Sequence, residues 1–265
     1  MKHPISETHN MDCMDFIRGL PDKFFDLVIA DPPYGIGQGG SKIESRSFLK
    51  TGQRNAKFDR RNGRQIITKP KNYSAAYKDQ KSPDKIFFDE CIRVSKNQIF
   101  WGANHYVSKI PFDSSAWIVW DKVNGETDQA DCELAWTSFK CAVRNIDFMW
   151  NGFTQAAGIL NGRLNQGNKS LCEIRIHPNH KPVALYKWLL SNYAKPGQKI
   201  FDPMMGSQSS RIAAWDIGFD FWGCELDSDY YLDGEARFAA HKSKPALFAP
   251  EQMYNFHGKQ TALEI

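Results

Sequence analysis

The stretch DLVIADPPYGIG, residues 26–37, runs from an apolar strand into a carboxylate, two consecutive prolines, a tyrosine and a glycine. Proline cannot donate to a sheet ladder and biases the residue before it away from helical backbone. The strand must therefore stop at Ala30–Asp31. The result is a stiff corner in which one carboxylate and one aromatic ring are held with little freedom left to lose.

Outward from this corner, other short apolar runs read as buried strands: 97–103, 117–120, 199–202 and 219–226. Helical patterns lie between them. Residues 82–95 offer Ser82 as N-cap and Pro83 as the first helical position, and 181–197 begins at a proline and ends at Lys-Pro-Gly. Residues 209–218 end at a glycine, and 227–242 form the last helix. Apolar strands alternating with helices predict an α/β domain around a mostly parallel sheet. The whole chain, 1–265, reads as one domain with a long loop insertion at 36–82 and a second loop-like stretch at 151–176.

The chain has 42% hydrophobic and 24% charged residues, ordinary for a globular protein. No apolar run is long enough to span a bilayer, and the opening MKHPISETHN has no secretion-signal core. Six scattered cysteines without a C-x-x-C pair argue against a disulfide framework or a metal site. The expectation is a cytoplasmic protein with reduced thiols. The net charge of +4 hides an asymmetry: residues 41–81 hold twelve Lys and Arg against three acids, a net of +9, which leaves −5 for the remainder. Such a concentration suits contact with a polyanion.

In open α/β sheets, ligands bind beyond the carboxyl ends of the strands. Two unusual strand exits fall there: DPPYG at 31–35 and FDPMMGSQSS at 201–210. The second has an acid, a proline and a tight Gly206–Ser207 turn leading into a helix, where backbone can approach a ligand closely. One strand later comes Glu225, placed as a carboxylate that accepts from ribose hydroxyls would be. Taken alone, Asp202 and Glu225 read better as a helix cap and a solvated strand end.

Together the two corners resemble those of the S-adenosylmethionine-dependent DNA amino-methyltransferases. The resemblance extends over 10–37, 117–139 and 177–231, most of the chain. It implies a Rossmann-like methyltransferase fold in the circularly permuted motif order of the β group, because the Asp-Pro-Pro-Tyr corner precedes the cofactor turn. Asp rather than Ser before the prolines is typical of the N6-adenine enzymes, with N4-cytosine methylation as the runner-up.

The resemblance also implies roles. Asp31 and the Pro32 carbonyl would each accept a hydrogen bond from the target amine, Pro33 would stiffen the corner, and Tyr34 would stack on a base extruded from duplex DNA. On the cofactor side, Asp202 with Met204 would face the methionine amino end. Gly206 and Ser207 would allow close approach, and Glu225 with Leu226 would meet the ribose. Asp12 with Cys13 would stand near the cofactor's adenine, although Asp12 reads almost as well as a helix cap. Lys181 and Pro182 would pack beside the methionine moiety. His177 and His180 lack a third ligand, so no metal is expected.

Two departures from the family pattern matter. Gln208 stands where a glycine is common, and the favoured reading has it already in the helix, where it is harmless; at positive φ it would be strained. A catalytically inactive DNA-binding relative is the alternative that this residue raises. Secondly, 151–176 is too short for a separate target-recognition domain. DNA contact would then fall to that loop and to Arg46, Arg54, Lys57, Arg60, Arg61 and Arg64 in the basic segment. A homodimer and a companion restriction endonuclease are partners the resemblance leaves open.

Overall fold

The computed structural model describes residues 4–36, 81–124, 130–151, 154–177, 179–244, 250, 252 and 254. Most of the basic insertion, including Arg46, Arg54, Lys57, Arg60, Arg61 and Arg64, lies outside the described residues.

In chain order the elements are β1 (Ser6–His9), α1 (Cys13–Arg18), β2 (Phe25–Ala30), α2 (Lys85–Val94), β3 (Ser95–Trp101), β4 (Ile118–Asp121), β5 (Cys132–Thr137) and β6 (Arg144–Asp147). They continue with β7 (Trp150–Asn151), β8 (Thr154–Gln155), α3 (Val183–Tyr193), β9 (Lys199–Asp202), α4 (Ser209–Ile217), β10 (Asp220–Cys224) and α5 (Ser228–Lys242). Eight strands form one sheet in the order β1-β10-β9-β2-β3-β5-β4-β6. The run from β1 to β3 is parallel throughout. β5 then pairs antiparallel with both β3 and β4, while β4 and β6 are parallel. The sheet is thus mostly parallel, as expected, with one antiparallel strand that simple strand–helix alternation did not anticipate.

The sheet is buried on both sides, which is why β2 reads as an unbroken apolar run rather than an alternating one. Its side chains still divide with period two. Leu27 and Ile29 pack with Leu185 and Leu189 of α3 and Ala213 of α4. Val28 and Ala30 face Ile17 of α1 and Phe87, Phe88 and Cys91 of α2. Phe25 stacks on Phe201 at 4.6 Å, tying β2 to β9. Burial of each such ring contributes about 1.5–3 kcal/mol.

Helix ends shift by up to four residues from the sequence reading. α2 is capped at Asp84, not Ser82. Ser82 and Pro83 instead receive the Lys109 ammonium, at 2.8 Å on the Ser82 hydroxyl and 2.7 Å on the Pro83 carbonyl. Competition from this tertiary bond moves the helix start. α3 ends at Tyr193, where Ala194 takes extended backbone (φ −126°) two residues before Pro196. Residues 154–177 hold the short strand β8, 3-10 turns and loop.

Candidate active site

β1, β10, β9 and β2 are adjacent and parallel, so their carboxyl ends open on one edge of the sheet. Asp202 ends β9 and aligns with Gly223 of β10, while His9 of β1 aligns with Cys224. Each strand delivers an acid to this edge: Asp31 after β2, Asp202 on β9, Glu225 after β10 and Asp12 after β1. The acids are close enough to act on one another. Asp202 is pushed up to about 7, chiefly by burial, with Asp31 and Glu225 adding to the shift. Burial and then Asp12 push the Cys13 thiol up to about 12, and Cys224 is raised by burial, Cys13, Asp202 and Asp12. The two sequence-predicted corners therefore share one end of the molecule.

At the first corner, Pro32 is buried and the Asp31 carboxylate accepts two hydrogen bonds. The Tyr34 hydroxyl lies 2.8 Å from its Oδ1, and the Lys181 ammonium lies 2.5 Å from its Oδ2. Lys181, on the segment entering α3 and expected beside the methionine moiety, turns its side chain to the Asp31 corner, where the paired carboxylates offset its desolvation. It also donates to Tyr34 Oη at 3.0 Å and to Glu133 Oε2 at 3.0 Å. Glu133 in turn holds Lys122 at 2.5 Å. Two carboxylates and two ammonium groups make a balanced buried network, the condition under which buried charge is tolerated.

The two carboxylates differ in environment. Glu133, between two cations, is held down to about 2, although its burial opposes this. Asp31 has one cation and a second carboxylate beside it, and burial raises its pKa. Lys181 is raised by Asp31 and Glu133 in spite of its burial, and stays charged.

Tyr34 is positioned by two residues that the sequence reading passed over. Gly102, at φ +71°, leaves room for its ring, and the His105 ring stacks on it at 5.1 Å and 16°. Burial raises the Tyr34 hydroxyl well above its ordinary value, and the neighbouring carboxylates reinforce the shift, so it remains a donor.

At the second corner, Asp202 Oδ1 accepts from the Met204 N–H at 3.0 Å and Oδ2 accepts from the Ser210 hydroxyl at 2.5 Å. Gly206, at φ +49°, donates its N–H to Glu225 Oε2 at 2.8 Å, while the Asp227 N–H bonds the other oxygen at 2.9 Å. A side chain at 206 would press on the His177 ring at 3.3 Å. Ser207 is buried, its hydroxyl 3.1 Å from that of Ser209. Met204 is partly buried and Pro182 caps α3, whereas Leu226 is 70% exposed. Asp12 caps α1 through the Met14 N–H at 2.8 Å, so the capping role its sequence offered is realised.

Gln208 corrects an expectation. It precedes α4 as its N-cap, at φ +58°, rather than inside the helix. The strain is offset by its fully buried side chain: Arg211 donates to its Oε1 at 2.8 Å, and its own amide donates to Glu235 at 3.1 Å. Gly234 on α5 leaves the space this amide fills.

Among the described residues no group of three His, Cys, Asp or Glu side chains could hold a metal ion. His177 is pushed down to about 3 by burial, and His180 is lowered for the same reason. No helix among the described residues is long and apolar enough to cross a membrane.

Sequence reasoning missed Glu133, Lys122, Gly102 and His105. A signal existed for the first: β5 carries an acid in an otherwise largely apolar strand whose alternate positions, Ala135 and Thr137, are buried.

Comparison with known proteins bears on this site. A family model described as DNA methylase matches residues 57–235. The Type II methyltransferase M.HinfI of Haemophilus influenzae is 22% identical over 261 residues, which cover 88% of this chain and 68% of that protein. YubD of Escherichia coli (strain K12), named as a candidate methylase, is 36% identical over 66 residues, 25% of this chain and 29% of that protein. Among solved structures, a candidate DNA modification methylase of Thermus thermophilus superposes with a TM-score of 0.51 at 17% identity, covering 91% of this chain and 98% of that one. That last likeness speaks for the fold.

Proposed function

The chain belongs to the DNA methylase family, and from that premise we propose that it methylates adenine N6 in duplex DNA at the expense of S-adenosylmethionine. The observation that carries the reading is the Asp31 carboxylate beside the acid-lined edge that holds Asp202 and Glu225.

The residues of that edge fit a cationic, ribose-bearing cofactor. Asp202 is a buried carboxyl poised near neutrality, suited to an ammonium partner. Gly206 offers a surface without a side chain, and Glu225 would exchange its backbone donors for ribose hydroxyls. When bound, S-adenosylmethionine would supply an electrophilic methyl carbon to the target amine nitrogen, the C–S electron pair staying on sulfur and the surplus amine proton leaving to water.

This chain's own residues do the positioning. Asp31 accepts one N–H of the target amine and the Pro32 carbonyl accepts the other, which draws the nitrogen lone pair out of conjugation and aims it. The prolines hold both acceptors without entropy left to lose. Tyr34, braced by His105 and Gly102, is the surface on which the extruded base stacks. The basic 41–81 segment supplies phosphate contacts. Asp before the two prolines favours adenine over cytosine.

The test is Asp31→Ala in the full chain. The variant should bind S-adenosylmethionine in isothermal titration as the wild type does, and should transfer no methyl group to DNA. Retained transfer would refute the assignment.

A further inference from the structure

Both oxygens of Asp31 already have donors, Tyr34 on one and Lys181 on the other. A target amine must compete with a buried ammonium for this carboxylate. The same two donors have a second acceptor in reach: Glu133 Oε2 stands 3.0 Å from Lys181 and 3.1 Å from the Tyr34 hydroxyl. The hydroxyl carries one proton and faces two carboxylates, so it can serve only one of them at a time.

We propose that Glu133 is a positioning residue for methyl transfer, an acceptor that takes over the hydrogen bonds of the Tyr34 hydroxyl and the Lys181 ammonium from Asp31 as the target amine arrives. Rotation of one O–H bond and a small swing of the lysine suffice. Lys122, on the far oxygen of Glu133, keeps that carboxylate ionised and fixed in place. The inference rests on the methyl-transfer reading of the Asp31 corner.

The groups facing Asp31 set the sign of a pH test. Lys181 from the α3 entry lowers its pKa, as does the Tyr34 hydroxyl, whereas Glu133 from β5 raises it. Asp202 from β9 is an acid close enough to interact with it. Glu133→Gln removes a negative neighbour and leaves Lys181 to Asp31 alone. Both changes favour ionised Asp31.

The experiment compares wild type with Glu133→Gln in single-turnover methylation of DNA across pH, alongside cofactor and DNA affinities. Expected are affinities within about twofold, a plateau rate lowered roughly 10- to 100-fold, as for loss of one charged hydrogen bond, and an acid limb moved to lower pH. A merely structural role would lower the cofactor and DNA affinities together with the plateau. An unchanged plateau, or an acid limb that stays or rises, overturns the proposal. Should Glu133→Gln fail to bind cofactor, Glu133→Asp keeps the charge but withdraws it; it should slow transfer with the acid limb in place, and full activity in it would equally overturn the proposal. Wild-type protein that methylates no DNA would bring down the underlying reading, and this inference with it. Active wild type with an unaffected Glu133→Gln would bring down the inference alone.

Discussion

Gly102 and Tyr34 are fitted to each other: a methyl group at 102 would fall on the Cδ1–Cε1–Cζ edge of the Tyr34 ring. Gly102 also holds φ +71°, a conformation costly for any residue with a side chain. Gly102→Ala should therefore lower stability by about 1–3 kcal/mol and displace the ring. Methylation should fall roughly 100-fold, as for a misplacement of about 1 Å. Thermal unfolding and single-turnover assays check both, and near-normal activity would mean that Tyr34 is not held for stacking.

Lys181 neutralises two buried carboxylates at once, Asp31 and Glu133. Lys181→Met should cost about 3–5 kcal/mol at neutral pH, the usual penalty for stripping a buried charge of its partner. Asp31 is then left without a cation, so its folded-state pKa stands above its unfolded one, while Glu133 keeps Lys122. The Asp31 penalty is full at neutral pH and is relieved as pH falls through that raised value. The gap in melting temperature between variant and wild type should narrow on acidification. A constant gap would contradict the network.

Asp202, raised to about 7, is largely protonated in the folded protein below that pH. Because the folded pKa is raised, the group contributes stability below its unfolded value near 4, and that stability is lost as pH rises through about 7. An ammonium partner requires the ionised form, so cofactor binding must release a proton below about 7. The cofactor dissociation constant should fall by up to about tenfold per pH unit between 5 and 7 and then level off. Asp202→Asn should flatten the profile. Calorimetry in buffers of different ionisation enthalpy reads the proton directly; no proton release would place the ammonium elsewhere.

The strand exits were legible in the sequence because proline and glycine act locally. DPPYG and the Gly206 turn announce themselves without reference to anything distant. The parallel run β10-β9-β2-β3 was equally legible, since strands buried on both faces leave continuous apolar runs. The residues that escaped are those whose role is set by tertiary pairing. Glu133 and Lys122 gain their place from β5 inserting antiparallel between β3 and β4. β1, four partly polar residues, is a strand because β10 receives it. The φ of Gln208 escaped for a similar reason, since its compensation comes from Arg211, Glu235 and the space at Gly234.

The segment 41–81 carries +9. Replacing Arg60, Arg61 and Arg64 with glutamine should weaken binding to all DNA sequences alike. The slope of log affinity against log salt should become shallower by about 2–3, near 0.9 for each phosphate no longer neutralised. An unaltered slope would assign the phosphate-binding role to another surface.

The most direct measurement is the identity of the product. Purified full-length chain is incubated with methyl-labelled S-adenosylmethionine and unmethylated genomic DNA, and the DNA is then digested to nucleosides and separated. The account predicts label in N6-methyldeoxyadenosine for the wild type and in no nucleoside for Asp31→Ala. Label in N4-methyldeoxycytidine, label that persists without Asp31, or no labelled nucleoside from the wild type would contradict it.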